Sequence, residues 1–306
     1  MPSLSEVRAF NAAFKPTYLP VALFVGGTSG VGQALAKAFA CITNGNAHII
    51  ICGRNKAAAE ATIASFPKPT KEGSVHEFVE CDATLMKNVH KTTSELLSRL
   101  TKLNFLSVSP GIVTLNGRTE TEEGIDRKMA LHYYARWKFI HDLTPLLRKA
   151  KDAGEDASVM TILGAGRGGP VDLGDLDVKK EYTLGKAAKA TNTYNDLMLE
   201  SFHEQNPDIG FTHQNPGAVN TNIVKNSDIP GKSIMQFMLY PVAAALTRSP
   251  EDAGHYLLHG LLRGAENGGV YRRDSNGVDI GKSKYFGSDE KRKAVWEHTV
   301  KTTFVP

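Results

Sequence analysis

The sequence predicts one α/β domain of the doubly wound kind, a mainly parallel sheet flanked by helices. Three observations carry this. Apolar runs of strand length alternate with helical stretches as far as residue 217. The runs are continuously apolar rather than alternating, which marks a sheet covered on both faces. Strands that alternate with helices call for parallel crossovers instead of hairpins. With 306 residues and 41% hydrophobic content the chain can build one large core. No internal repeat, low-complexity tract or polar linker divides it, so residues 1–306 are expected to form a single domain.

Taken in order, VALFVGG (21–27) is the first strand, and VGQALAKAFA after it the first crossover helix. HIIICGR (48–54) leads into an alanine run, and HEFVECDA (76–83) into VHKTTSELLSRL. LNFLSVSPG (103–111) precedes a long helical segment from Gly124 to Lys151. ASVMTILGAG (157–166) and IGFTHQNPG (209–217) enclose a helical segment around 182–203. Residues 218–268 read as an insertion-like substrate cap and 269–306 as a C-terminal extension.

Composition narrows the partners. A net charge of +4 with 22% charged residues gives no reason to invoke nucleic acid. Cys41, Cys52 and Cys81 are sparse, odd in number, set in apolar surroundings and without metal-type spacing, as expected for reduced, buried thiols in a cytoplasmic protein. The N-terminal MPSLSEVRAFNAAFKP lacks the apolar core of a signal peptide. SIMQFMLYPVAAALT (233–247) is too short to span a bilayer and carries Gln236 and Pro241. No stable membrane insertion is expected; that stretch reads as a core helix or a lid over an apolar pocket, and 218–247 as the lid over a lipophilic small molecule.

The first strand ends in GGTSGVG (26–32), with a helix directly after it. Gly26 allows the tight turn, Gly30 lets the backbone approach a pyrophosphate, and Gly32 lets helix and strand pack closely. Thr28, Ser29 and Val31 complete the turn. This strand–turn–helix context is that of a dinucleotide-binding Rossmann domain. At the end of the second strand, ICGRNK puts Arg54 where NAD-preferring proteins carry an acid. A guanidinium fits a ribose 2′-phosphate, so NADP(H) is favoured over NAD(H).

EYTLGKAA (181–188) holds Tyr182 and Lys186, four residues apart at the start of a predicted helix. On one helix face the ammonium would lower the tyrosine pKa from about 10 and fit it for general acid/base work.

These motifs resemble the short-chain dehydrogenase/reductase superfamily over nearly the whole chain, with its retinol-dehydrogenase-like branch and fungal members nearest. The family turn Thr-Gly-x-x-x-Gly-x-Gly is matched by VGGTSGVG, with Val25 in place of threonine. The resemblance implies that Asp82, with Ala83, meets the adenine. It implies that Ser109 and Gly111 in Val108-Ser109-Pro110-Gly111 stand for the family's Asn-Asn-Ala-Gly. Tyr182 and Lys186 match its Tyr-x-x-x-Lys, with the lysine on the nicotinamide ribose. Pro216, Gly217, Val219 and Thr221 in NPGAVNTNI match its cofactor-contacting Pro-Gly turn. RSPEDAG (248–254) and VWEH (295–298) also resemble segments of that branch. Family members form dimers and tetramers, which makes a homodimer the partner to look for.

Two positions depart from the family. Gly164 stands where its substrate-orienting serine belongs, and His132 where its active-site asparagine belongs. One missing donor to a developing oxyanion costs about 2.7–4 kcal/mol, which slows hydride transfer without abolishing it. Replacement donors are the backbone N–H groups of GAGRGG (164–169), Arg167, and His132 with its ordinary pKa near 6.5. Thr161 is an odd number of residues from Gly164 and so faces the other side of the strand. The expected activity is an NADP(H)-dependent interconversion of carbonyl and alcohol. The alternatives are a non-redox isomerase, lyase or cyclase on the same scaffold, and an NADP(H)-binding regulatory protein.

Overall fold

The computed structural model describes residues 1–219 and 247–306. Its centre is a seven-stranded sheet in the order β3-β2-β1-β4-β5-β6-β7, parallel throughout. The strands are β1 (Val21–Val25), β2 (His48–Gly53), β3 (Val75–Glu80), β4 (Phe105–Val108), β5 (Ser158–Ile162), β6 (Gly210–Gln214) and β7 (Gly269–Arg273). Every residue of β1, β4, β5 and β6 is buried, as their unbroken apolar character predicts.

The helices are α1 (Leu4–Ala12), α2 (Gly30–Ile42), α3 (Lys56–Ala64), α4 (Met86–Arg99), α5 (Arg127–Met129), α6 (Ala135–Asp152), α7 (Leu184–Gln205), α8 (Pro250–Asn267) and α9 (Asp289–Thr302). Successive strand residues point to opposite faces, so each strand feeds two cores. Phe24, Ile49, Ile51 and Met160 meet α2 and α8 on one face, through Leu35, Phe39, Leu257 and Leu261. Leu23, Val25, Leu106 and Val159 meet α4, α6 and α7 on the other.

Three elements differ from the sequence reading. Residues 250–267, assigned to the cap, form α8, which packs on α2 and on the sheet. Its apolar residues recur at helical spacing (Leu257, Leu258, Leu261, Leu262, Ala265), and the Ser249 hydroxyl accepts from the Asp252 N–H to start it. Residues 269–273, assigned to the extension, are the seventh strand. Helix α9 lies on α7, its Trp296 ring edge-on to both Trp137 and Phe202. The N-terminal α1, with a capping box formed by Ser3 and Glu6, was absent from the sequence reading and packs on α8. Residues 220–246, which include Thr221 and all of the 233–247 stretch but Thr247, lie outside the described residues. Among the described residues no helix is long and apolar enough to cross a membrane.

Between α5 and α6 the chain widens into a π turn, Ala130–Tyr134. Such turns are frequent at functional sites. This one carries His132.

Candidate active site

A cleft opens at the C-terminal edge of the sheet, where the strand order reverses between β1 and β4. Ligands of open α/β sheets bind at such a switch point. It encloses about 330 Å³ and is lined by Gly26, Thr28, Ser29, Gly30, Val31 and Gly32 from the glycine turn. Arg54, Asp82 and Ala83 line one end, and Ser109, Gly111, Pro216, Gly217 and Val219 the other. Pro110, Ile112, Val113 and Leu131 also line it, which the sequence reading missed, although three of them flank its chosen Gly111.

Gly26 and Gly30 have φ of +83° and +59°, the left-handed backbone that glycine adopts without strain. A Cβ on Gly32 would stand 2.3 Å from the Ser109 hydroxyl and 2.6 Å from the Gly26 carbonyl oxygen. The Ser109 hydroxyl itself donates to Val25 O at 3.0 Å, which ties β4 to the turn. Ser29 caps α2 without a side-chain hydrogen bond, so the first-turn N–H groups keep their capacity for an anion. Arg54 is exposed and has no ion-pair partner among the described residues. The Asp82 carboxylate is oriented by the N–H and hydroxyl of Thr84, at 3.0 and 2.8 Å.

Tyr182 and Lys186 are not among the residues that line the cleft. Thr183 is the N-cap of α7, so Tyr182 precedes the helix and the pair does not share a helix face. The Tyr182 hydroxyl lies 3.4 Å from Asp126 Oδ1, and its ring lies under the Lys128 ammonium. Burial first, and the Asp126 charge second, raise its pKa, where the sequence reading expected a fall. Lys186 turns instead to Glu181, at 2.5 Å, and both are exposed. The expected lysine-activated tyrosine is therefore corrected: the nearest charge to the hydroxyl is a carboxylate.

His132 is likewise not among the residues that line the cleft, but it stands directly behind Gly111 and Ile112, which do. Its Nε2 accepts from Ile112 N–H at 3.2 Å, and a Cβ on the lining Gly111 would stand 3.1 Å from that nitrogen. Its carbonyl, in the π turn, accepts from Asn195 Nδ2 at 2.8 Å. Burial, then the nearby Arg136 guanidinium, push its pKa down to about 3, far from the 6.5 expected of a relay group. The imidazole is neutral, and because Nε2 accepts, Nδ1 carries the proton. Arg136 is fully buried. It donates to the carbonyls of Leu131, Val108, Ile162 and Pro110 at 2.9–3.2 Å.

At the end of β5, Gly164 N–H donates to Asn192 Oδ1 at 2.7 Å, and Asn192 Nδ2 donates to Ala188 O at 2.9 Å. A Cβ on Gly164 would stand 2.8 and 2.9 Å from those two carboxamide atoms. Asn192 fills the space a side chain at 164 needs. Sequence alone gave no sign of this, since the two residues are 28 positions apart. The glycine loop is also less available than expected: Arg167 N–H binds Gly164 O, and Gly169 N–H binds the Thr193 hydroxyl. Arg167 itself is exposed, and Thr161 is buried with its hydroxyl unpaired. Gly164→Ser alone is expected to lose about 1–3 kcal/mol of stability by overpacking. In an Asn192→Ala background it should cost less than half as much. Additive effects in a denaturant-unfolding cycle would show that the two positions do not compete.

A family model described as short chain dehydrogenase matches residues 20–169. Oxidoreductase AN1596 of Emericella nidulans is 36% identical over 261 residues, which cover 85% of this chain and 77% of the relative. Human polyprenol dehydrogenase is 24% identical over 273 residues, covering 82% and 81%. In solved structures the fold is similar to that of 3-ketoacyl-(acyl-carrier-protein) reductase from Brucella melitensis complexed with NADH. That likeness has a TM-score of 0.59 at 18% identity and covers 85% of this chain and 98% of the other.

Proposed function

The chain belongs to the short-chain dehydrogenase/reductase superfamily, and we propose that it is an NADP(H)-dependent oxidoreductase that interconverts a carbonyl and an alcohol on a lipophilic small molecule. The observation that carries this is Arg54, an exposed guanidinium with no ion-pair partner among the described residues, at one end of the glycine-turn cleft. The residues fit the cofactor. The α2 N-terminus has no side-chain cap and no acidic residue in its first turn, which suits a pyrophosphate. Arg54 suits a 2′-phosphate, and Asp82 with Ala83 completes the adenosine end. When bound, the nicotinamide would supply or accept the hydride.

The chain's own task is then to hold the substrate and polarise its oxygen. His132 is suited to this through its Nδ1–H, since Nε2 is taken by the Ile112 N–H, and a neutral imidazole N–H can polarise a carbonyl without first being protonated. Val113, Leu115 and Leu173 are exposed apolar side chains on the loops that follow β4 and β5. Val113 also lines the cleft, and these loops support a lipophilic substrate, as does the name of the polyprenol relative. Cys52 and Cys81 are buried as the sequence leads one to expect, whereas Cys41 on α2 is exposed; three free thiols support a cytoplasmic site of action.

A second reading follows from Asn192 at Gly164 and from Tyr182 outside the cleft lining: a non-redox reaction on a cofactor-bearing scaffold. One experiment separates them. The protein is incubated with NADPH and a panel of long-chain aldehydes, ketones and their alcohols. The oxidoreductase reading expects NADPH loss equal to alcohol formed. Product without net cofactor consumption would replace it by the non-redox reading.

A further inference from the structure

Among the described residues Arg136 is a charge without a counter-charge. Its side chain is fully buried, and its four partners are main-chain carbonyls, none a carboxylate. Buried arginines ordinarily stand beside an acid, because an unpaired ion in the interior is costly. Burial pushes its pKa down to about 9, which leaves it protonated near neutral pH.

The neighbouring ionisable groups do not cancel it. His132 is neutral. The Asp126 carboxylate has the Lys128 ammonium 3.6 Å away and also accepts from the N–H groups of Thr119, Lys128 and Met129. The local sum is one positive charge.

Its position gives that charge an object. The carbonyls it holds belong to the ends of β4 and β5 and to Pro110 and Leu131, both of which line the cleft. Arg54, Asp82 and Ala83 define the adenosine end, and the glycine turn the pyrophosphate. The second nucleotide therefore falls to the half bounded by Pro110, Ile112, Leu131 and Pro216. Arg136 lies behind that half.

We propose that Arg136 is a fixed positive charge that makes the cleft select the reduced, neutral nicotinamide over the oxidised, cationic one. This rests on the cofactor reading above. Two forms of one cofactor differ by a single charge on the ring, so a buried cation behind the ring separates them while leaving the adenosine half alone. Tying together carbonyls would not by itself do so.

The test is direct binding, without turnover. Dissociation constants are measured for NADPH, NADP⁺ and 2′-phospho-ADP-ribose, which lacks the nicotinamide, on wild type, Arg136→Lys and Arg136→Gln. Wild type is expected to bind NADPH at least about tenfold more tightly than NADP⁺, the scale of one charge acting across a poorly solvated distance. Arg136→Lys should keep that ratio and Arg136→Gln should bring it within about threefold of unity. Affinity for 2′-phospho-ADP-ribose should be the same in all three. A wild-type ratio of one, or an undiminished ratio in Arg136→Gln, would overturn the proposal while leaving the cofactor reading intact. Failure of all three ligands to bind would overturn both. If Arg136→Gln does not fold, the wild-type ratio in 1 M salt decides. A buried charge keeps its effect there, and a ratio that collapses points to exposed charges and overturns the assignment.

Discussion

Arg54→Asp is expected to weaken NADPH binding by about 100-fold or more while changing NADH affinity less than about threefold. The substitution removes a charge-assisted fork on the 2′-phosphate and puts a carboxylate in its place. A charge-assisted hydrogen bond contributes about 1.5–3 kcal/mol, or roughly ten- to a hundredfold, before repulsion is added. Arg54 is exposed at the cleft mouth, so the titrations belong at one fixed, low ionic strength, where screening is smallest. Lys56 stands two residues on but is 3.8 Å from Glu60, which leaves it poorly placed to compensate. Equal losses for both cofactors would mean that Arg54 supports the cleft without reading the phosphate.

The second large effect is expected at His132. With the substrate that the NADPH assay identifies, His132→Phe should lower kcat by about 10²–10³, the cost of one preorganised donor at a developing oxyanion. Tyr182→Phe should lower it less than about fivefold. The opposite order would return the acid/base role to Tyr182. The pH profile provides a second check. His132 is held down to about 3, so its neutral form is already complete by pH 5. The wild-type rate should show no inflection between pH 5 and 8 from this group, whereas a limb near 6.5 that vanishes in His132→Phe would contradict a neutral donor.

That the glycine turn, Arg54 and Asp82 would line one cleft was legible in the sequence because these parts are local. Gly26 to Gly32 act through their own backbone, and Arg54 and Asp82 follow directly on strands whose apolar runs announce them. The placement of Tyr182 and Lys186 was not, because it depends on where a helix begins. Thr183, whose hydroxyl accepts from the Lys186 N–H, caps α7 so that the helix begins at Leu184, two residues after Tyr182. Spacing of four in the sequence then says nothing about a shared face. Asn192 and Arg136 were invisible for a different reason: their partners come from β4, β5 and the loops beyond, and only folding brings those ends together. Residues 250–273 were misassigned to cap and extension because β7 is a short strand, Gly269–Arg273, that begins with glycine and carries two arginines, so no continuous apolar run marks it. Yet α8 carries apolar spacing as regular as any other, and β7 pairs along the free side of β6.

The placement of α9 has a consequence for how the protein is made. Trp137, Tyr133 and Phe202 form an aromatic wall on α6, the π turn and α7, and Trp296 and Thr299 of α9 cover it. A ribosome delivers that wall about ninety residues before the helix that seals it has even been translated from the last of these three positions. For that interval the nascent chain carries a sticky surface that only its own later segment can hide. Translation of α9 is thus the event that covers this surface, and a message cut short before Trp296 would yield a protein with its sheet assembled and its aromatic flank open to every neighbour.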